Sequence, residues 1–131
     1  NILIMKINKL NVGSKIKSSG TGGFSFKGST SKFFENHIAK SVPFFKESHL
    51  LTAKLSTFFI SEDSIVYDLG CSTGLAARSI FDANQNKAFT IYGLDLSKEM
   101  IKDAKKKLNK KSKNKIKYIF ADVLKTKLKK K

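Results

Sequence analysis

The sequence predicts an α/β domain with three parallel strands, flanking helices and a helical N-terminal segment. Three observations carry that prediction. The first is the run Ser64-Ile-Val-Tyr-Asp-Leu-Gly-Cys-Ser-Thr-Gly-Leu75, where an apolar, β-branched stretch ends in an acid and opens into a small-residue loop. The second is Tyr92-Gly-Leu-Asp95, another strand-like stretch closing on an acid. The third is the alternation of strand-like and helix-like segments, which predicts βαβαβ connectivity with right-handed crossovers.

In chain order, residues 1–30 hold scattered Gly, Ser and Lys and are expected to form a flexible leader. A short helix is expected from Ser31 to Lys40, with Ser31 as N-cap and Phe34 and Ile38 facing inward, and Pro43 ends it. A second helix, Glu47 to Phe59, is expected to bury Leu50, Leu51, Leu55 and Phe58 or Phe59 at helical spacing. The first strand is expected over Ser64–Leu69 and a helix over Gly74–Asp82. The second strand follows over Phe89–Asp95. Ser97 then caps a helix from Lys98 to Leu108 whose apolar face is Met100, Ile101, Ala104 and Leu108. The third strand, Lys115–Ala121, closes on Asp122, and 125–131 form a basic tail. The expected domain is thus 31–124.

Composition narrows the function classes. The longest apolar stretch, His49 to Ile60, is short and interrupted by polar residues, so no transmembrane helix and no membrane partner are expected. One cysteine excludes an intrachain disulfide and suits a reducing cytoplasm. The net charge is +16, yet 25 of the 26 basic residues are lysine and only Arg78 is arginine. A dedicated nucleic-acid surface usually holds more arginine, whose planar fork reads phosphate and guanine. Lys, Ile, Phe and Asn make up 56 of 131 residues, the usage of an AT-rich genome, so coding bias is favoured over selected RNA binding. The field still attracts polyanions, most of all over 98–131, where 15 lysines face three acids.

The loop and the strand ends carry the chemistry. Gly70 and Gly74 let the backbone turn sharply and approach a ligand. A helix starting near Gly74 offers N–H groups to an anionic group. Asp68 directly before that loop would repel a diphosphate, so it suits a ligand with positive charge beside its carboxylate, as in the methionine half of S-adenosylmethionine. Asp95 lies where a carboxylate accepts from ribose hydroxyls. Asp122 can accept from an adenine amino group. Each acid also has a plain structural reading: Asp68 and Asp95 as helix caps, Asp122 as a turn residue. Cys71 reads as a small residue fitted to a tight loop, with no base beside it to activate a nucleophile.

The runs V-Y-D-L-G-C-S-T-G, G-L-D-L-S-K-E-M-I and I-F-A-D-V resemble motifs one to three of class I S-adenosylmethionine-dependent methyltransferases, over about residues 60 to 125. Upstream, Phe34-Glu-Asn-His-Ile-Ala-Lys-Ser-Val-Pro-Phe-Phe45 with the D-L-G-C-S loop resembles the carboxy-S-adenosylmethionine synthases of tRNA wobble-uridine modification. The resemblance implies a partial Rossmann-like methyltransferase fold, an N-terminal piece ending after the third strand, with strand one as an exposed apolar edge. It implies S-adenosyl-L-methionine as cofactor, with Gly70, Cys71 and Ser72 at its methionine moiety, Asp95 at the ribose, and Asp122 and Val123 at the adenine. Asp68, Gly74, Leu96 and Phe45 complete the expected cofactor-binding set. Phe45 lacks the hydroxyl of the family's tyrosine, and Leu96 stands where asparagine often follows the ribose acid. Expected partners are the small-molecule cofactor, tRNA or another polyanion on the lysine-rich surface, and a second copy of the chain as a homodimer. The alternatives are a basic, non-enzymatic nucleic-acid-binding module on a degenerate fold, and another nucleotide-binding protein of the same fold. Asp68 argues against NAD in the latter.

Overall fold

The computed structural model describes residues 30–128. The expected leader lies outside the described residues apart from Thr30, as do the last three residues of the basic tail. The elements are α1 (Thr30–Ser41), α2 (Phe45–Phe59), β1 (Ser64–Leu69), α3 (Leu75–Ala83), β2 (Phe89–Asp95), α4 (Lys98–Lys106), a single 3-10 turn over Ser112–Asn114, and β3 (Ile116–Phe120). Strands and helices therefore fall where the sequence places them, within two residues at most ends. Because α1 starts at Thr30, Ser31 lies in its first turn and is not the N-cap.

All three strands are parallel, in the order β1-β2-β3. Ser64 stands opposite Phe89 and Leu69 opposite Leu94, while Ile91 pairs with Ile116 and Asp95 with Phe120. β1 is consequently an edge strand, as expected. The register brings the carboxyl ends of β1 and β2 to one rim of the sheet.

One face of the sheet is packed. Phe89 and Ile91 of β2 and Ile116 and Tyr118 of β3 join Ala77, Ile80 and Phe81 of α3 and Ile101 and Ala104 of α4 in a single buried cluster. Each large apolar side chain taken out of water there stabilises the fold by about 1.5–3 kcal/mol. α4 follows its sequence signals: the Ser97 hydroxyl accepts the Met100 N–H at 3.2 Å, and Met100, Ile101 and Ala104 are buried. The helix stops at Lys106, and Leu108 packs against the core from beyond its end.

α2 differs from expectation. Leu50, Leu51, Leu55, Phe58 and Phe59 are all exposed, and the only buried residue of the helix is Ala53. The helix docks through its small and polar face instead. Asn84 Nδ2 donates to Ser56 Oγ at 2.8 Å, and Lys87 Nζ donates to the carbonyls of Thr57 and Ile60, each at 2.7 Å. Its leucine and phenylalanine side chains stay largely in water among the described residues. Among those residues, no helix is long and apolar enough to cross a membrane.

Candidate functional site

The site is a loop slung between two strand ends. After β1, the Gly70 and Cys71 N–H groups both donate to the Leu94 carbonyl, at 2.8 and 3.0 Å, which lashes the loop to β2. The Ser72 N–H then donates to Asp95 Oδ2 at 2.8 Å, and the Ser97 N–H donates to Asp95 Oδ1 at 2.8 Å. Asp95 is thus oriented by one backbone donor on each oxygen. Each oxygen keeps acceptor capacity for further hydroxyls.

Making that turn requires left-handed backbone at Gly70 (φ 76°), Ser72 (φ 51°) and Gly74 (φ 76°). For serine this conformation costs on the order of 1 kcal/mol, which the contact with Asp95 helps offset. The two glycines differ in what lies beside them. A Cβ at Gly70 would meet open space, whereas one at Gly74 would run into the Tyr118 hydroxyl. Tyr118 donates to the Gly74 carbonyl at 3.0 Å and also fills the space beside Gly93. The close approach that demands glycine at 74 is therefore made by β3, while a Cβ at Gly70 would have no described atom within 4 Å.

Asp68 sits on the same rim and is held by the backbone N–H of Ala77 in the first turn of α3. Its helix-capping role is real. Its Oδ2, however, is buried with no hydrogen-bond partner among the described residues. Burial raises the Asp68 pKa; the Ala77 hydrogen bond and the His49 charge oppose that rise, and the Asp95 charge adds to it. Cys71 lies between the two acids, 5% exposed, its thiol pushed up to about 12 by burial and then by Asp68 and Asp95. A protonated, enclosed thiol is a packing residue, not a nucleophile.

The remaining expected residues lie on the segments flanking these strand ends. Phe45 is half-buried at the start of α2, its ring 4.5 Å from that of His49, whose charge reaches Asp68. Leu96 is exposed beside Asp95, and Val123 is half-buried beyond β3. Ala121 N–H donates to the Asp95 carbonyl at 3.0 Å, which holds the end of β3 against β2. Asp122 forms a turn there: its Oδ1 accepts the Leu124 N–H at 3.0 Å, and Oδ2 lies 3.7 Å from Lys125 Nζ. Sequence reasoning missed Glu35, Thr73, Arg78 and Tyr118. Two carried a signal in hindsight: Glu35 is the lone acid of α1, and Arg78 is the only arginine of the chain.

This arrangement has known counterparts. The sequence profile of the methyltransferase domain family matches residues 66–131. The chain is 41% identical over 88 residues to the carboxy-S-adenosyl-L-methionine synthase of Sulfurimonas denitrificans, an alignment covering 64% of this chain and 35% of that protein. It is 38% identical over 91 residues to the enzyme of the same name from Campylobacter jejuni subsp. jejuni, covering 70% of this chain and 38% of that one. In structure it is similar to the plantazolicin methyltransferase BpumL, solved in complex with a monoazolic desmethylPZN analog and SAH, with a TM-score of 0.50, 27% identity, and coverage of 74% of this chain and 36% of that one. The chain spans well under half the length of these relatives. With the profile covering half of the chain, and the glycine loop and acid-tipped parallel strands within it, the chain belongs to the methyltransferase domain family.

Proposed function

We propose that the chain is the cofactor-binding portion of an S-adenosylmethionine-dependent transferase of the carboxy-S-adenosyl-L-methionine synthase type, acting in tRNA wobble-uridine modification. The observation that carries the proposal is the pair of rim carboxylates: Asp95 fixed at both oxygens by backbone, and Asp68 with a buried oxygen that has no partner among the described residues, two positions before an open glycine. A buried, unpaired carboxylate oxygen is unfavourable in the protein alone and is relieved by a cation or hydrogen-bond donor. The α-ammonium of a methionine moiety is such a group, and the residues present fit it.

In this reading Asp95 accepts from the ribose hydroxyls, and Gly70, Cys71 and Ser72 line the methionine moiety. Asp122, Val123 and Leu96 border the adenine, Phe45 covers the pocket from α2, and Gly74 shapes the turn. When bound, the sulfonium of the cofactor supplies the activated carbon for group transfer. The chain's own residues orient it and balance its charge. No residue of the chain is assigned as a base.

Calorimetric titration with S-adenosylmethionine and with S-adenosylhomocysteine (SAH) tests the assignment. The unaltered chain should bind, and Asp95→Ala should weaken binding by about tenfold or more, as expected for losing hydrogen bonds to a charged acceptor. Unaltered binding by the variant, or no binding by the parent, overturns it. Salt-sensitive RNA binding without either adenosyl ligand would instead favour a basic nucleic-acid module.

A further inference from the structure

We propose that Glu35, on the N-terminal helix, is a positioning residue for this ligand site and acts through Thr73. The inference rests on the proposed cofactor reading for its ligand, though not for its effect on the loop. Glu35 Oε1 collects three donors from three parts of the chain: the Thr73 hydroxyl, Arg78 Nη2 at 3.0 Å and Lys107 Nζ at 2.7 Å. Arg78 reaches further, and its Nη1 donates to the Thr73 carbonyl at 2.6 Å. Thr73 is therefore gripped at both its side chain and its backbone, and it is 1% exposed.

The position of Thr73 makes that grip consequential. It stands between two left-handed residues, Ser72 and Gly74. Ser72 is the residue whose N–H orients Asp95, and Gly74 begins the turn into α3. Backbone in sparsely populated regions persists only where its surroundings hold it. The clamp that holds this turn comes from α1, which lies outside the βαβαβ unit in sequence. Burial acts to raise the Glu35 pKa, but the hydrogen bonds from Lys107, Thr73 and Arg78 outweigh it and leave it below the usual carboxylate range. Glu35 is thus charged when it grips the turn. A ligand contacting Asp95 and the 70–72 backbone feels Glu35 through Thr73 without touching it.

A double-variant cycle on the full chain tests this, with two readouts: the amide exchange rate of Ser72 without ligand, and the Kd for SAH. Glu35→Ala and Thr73→Val should each speed Ser72 exchange and each raise the Kd by about tenfold, the scale of one hydrogen bond to a charged group. The double variant should be no more than about twofold worse than either single one, since both remove the same link. Glu35→Gln, uncharged and of the same shape, should fall between parent and alanine variant, and it answers the question should Glu35→Ala lose α1. Glu47→Gln, an exposed acid on α2, should change neither readout. Fully additive effects in the cycle, or unchanged Ser72 exchange, overturn the role of Glu35. Failure of the parent chain to bind SAH removes the cofactor reading, and the exchange measurement then decides the hold of Glu35 on the turn by itself.

Discussion

On β2 and α4, Ile91, Leu94, Met100 and Ala104 keep at most 1% of their surface in water; on α2, Leu50, Leu51, Leu55, Phe58 and Phe59 keep 47% to 82%. Both segments carry apolar residues at the spacing their element requires. They differ in how far that apolar face is covered. α4 lies over β2 and β3, whereas the leucine and phenylalanine side chains of α2 stay exposed among the described residues. Periodicity states which face wants burial and says nothing of whether something will cover it.

The same contrast runs through the polar groups of the rim. Asp95, on β2, has a backbone donor on each oxygen, while Asp68, on β1, retains a buried oxygen with none among the described residues. Gly74 is filled from β3 by Tyr118, while the space beside Gly70 is open. At the rim, the β2 carboxylate and the glycine facing β3 are met by protein groups. The β1 side is where outside groups have something to gain.

Three measurements break or sharpen this contrast. The largest effect is expected from Ile91→Ala, which should cost about 3 kcal/mol in urea unfolding by removing fully buried methyl groups. Phe58→Ala should cost under about 0.5 kcal/mol, the scale of an exposed substitution. Equal losses would mean that the two apolar faces are equivalent after all. Next, Gly74→Ala should cost about 2–3 kcal/mol through the clash with Tyr118 added to the left-handed backbone, against about 1 kcal/mol for Gly70→Ala, where only the backbone term acts. Comparable destabilisation at the two positions would contradict the open space at Gly70.

The smallest effect concerns pH. Asp68 has a raised pKa in the folded chain, chiefly through burial, so the folded state holds its proton to higher pH than the unfolded state does. Its contribution to stability is present below the unfolded pKa and is lost as pH rises through the folded one. Asp68→Asn should therefore flatten the decline of stability as pH rises above the usual carboxylate range, and leave the chain more stable at neutral pH. A steeper decline in the variant would show that Asp68 is stabilised as the anion.

Much of the fold was legible in the residues. The β-branched run ending at Leu69, the Ser97 cap and the stripe Met100, Ile101, Ala104 are local signals, and each element stands where they indicate. The acids at the strand tips were also legible, since a parallel βαβ unit must bring Asp68 and Asp95 to one rim. The burial of α2 was not legible, because its spacing is the same whether or not a neighbour exists. The Glu35 cluster escaped for a different reason. A single acid in a helix carries no pattern until Thr73, Arg78 and Lys107 are brought to it.

By itself, then, the sequence determined the element types, their order, and the rim on which the carboxylates gather. These depend on backbone preferences and periodicities that act over a few residues. Only the tertiary structure decided which apolar face is covered, which glycine is open, and that Asp68 on the rim keeps a buried oxygen without a partner among the described residues. Those outcomes depend on atoms far apart in the chain: Ser72 meets Asp95 across 23 residues, Glu35 meets Thr73 across 38, and Glu35 meets Lys107 across 72. Hydrogen bonding and burial are satisfied in space, and no local pattern records who the partner will be.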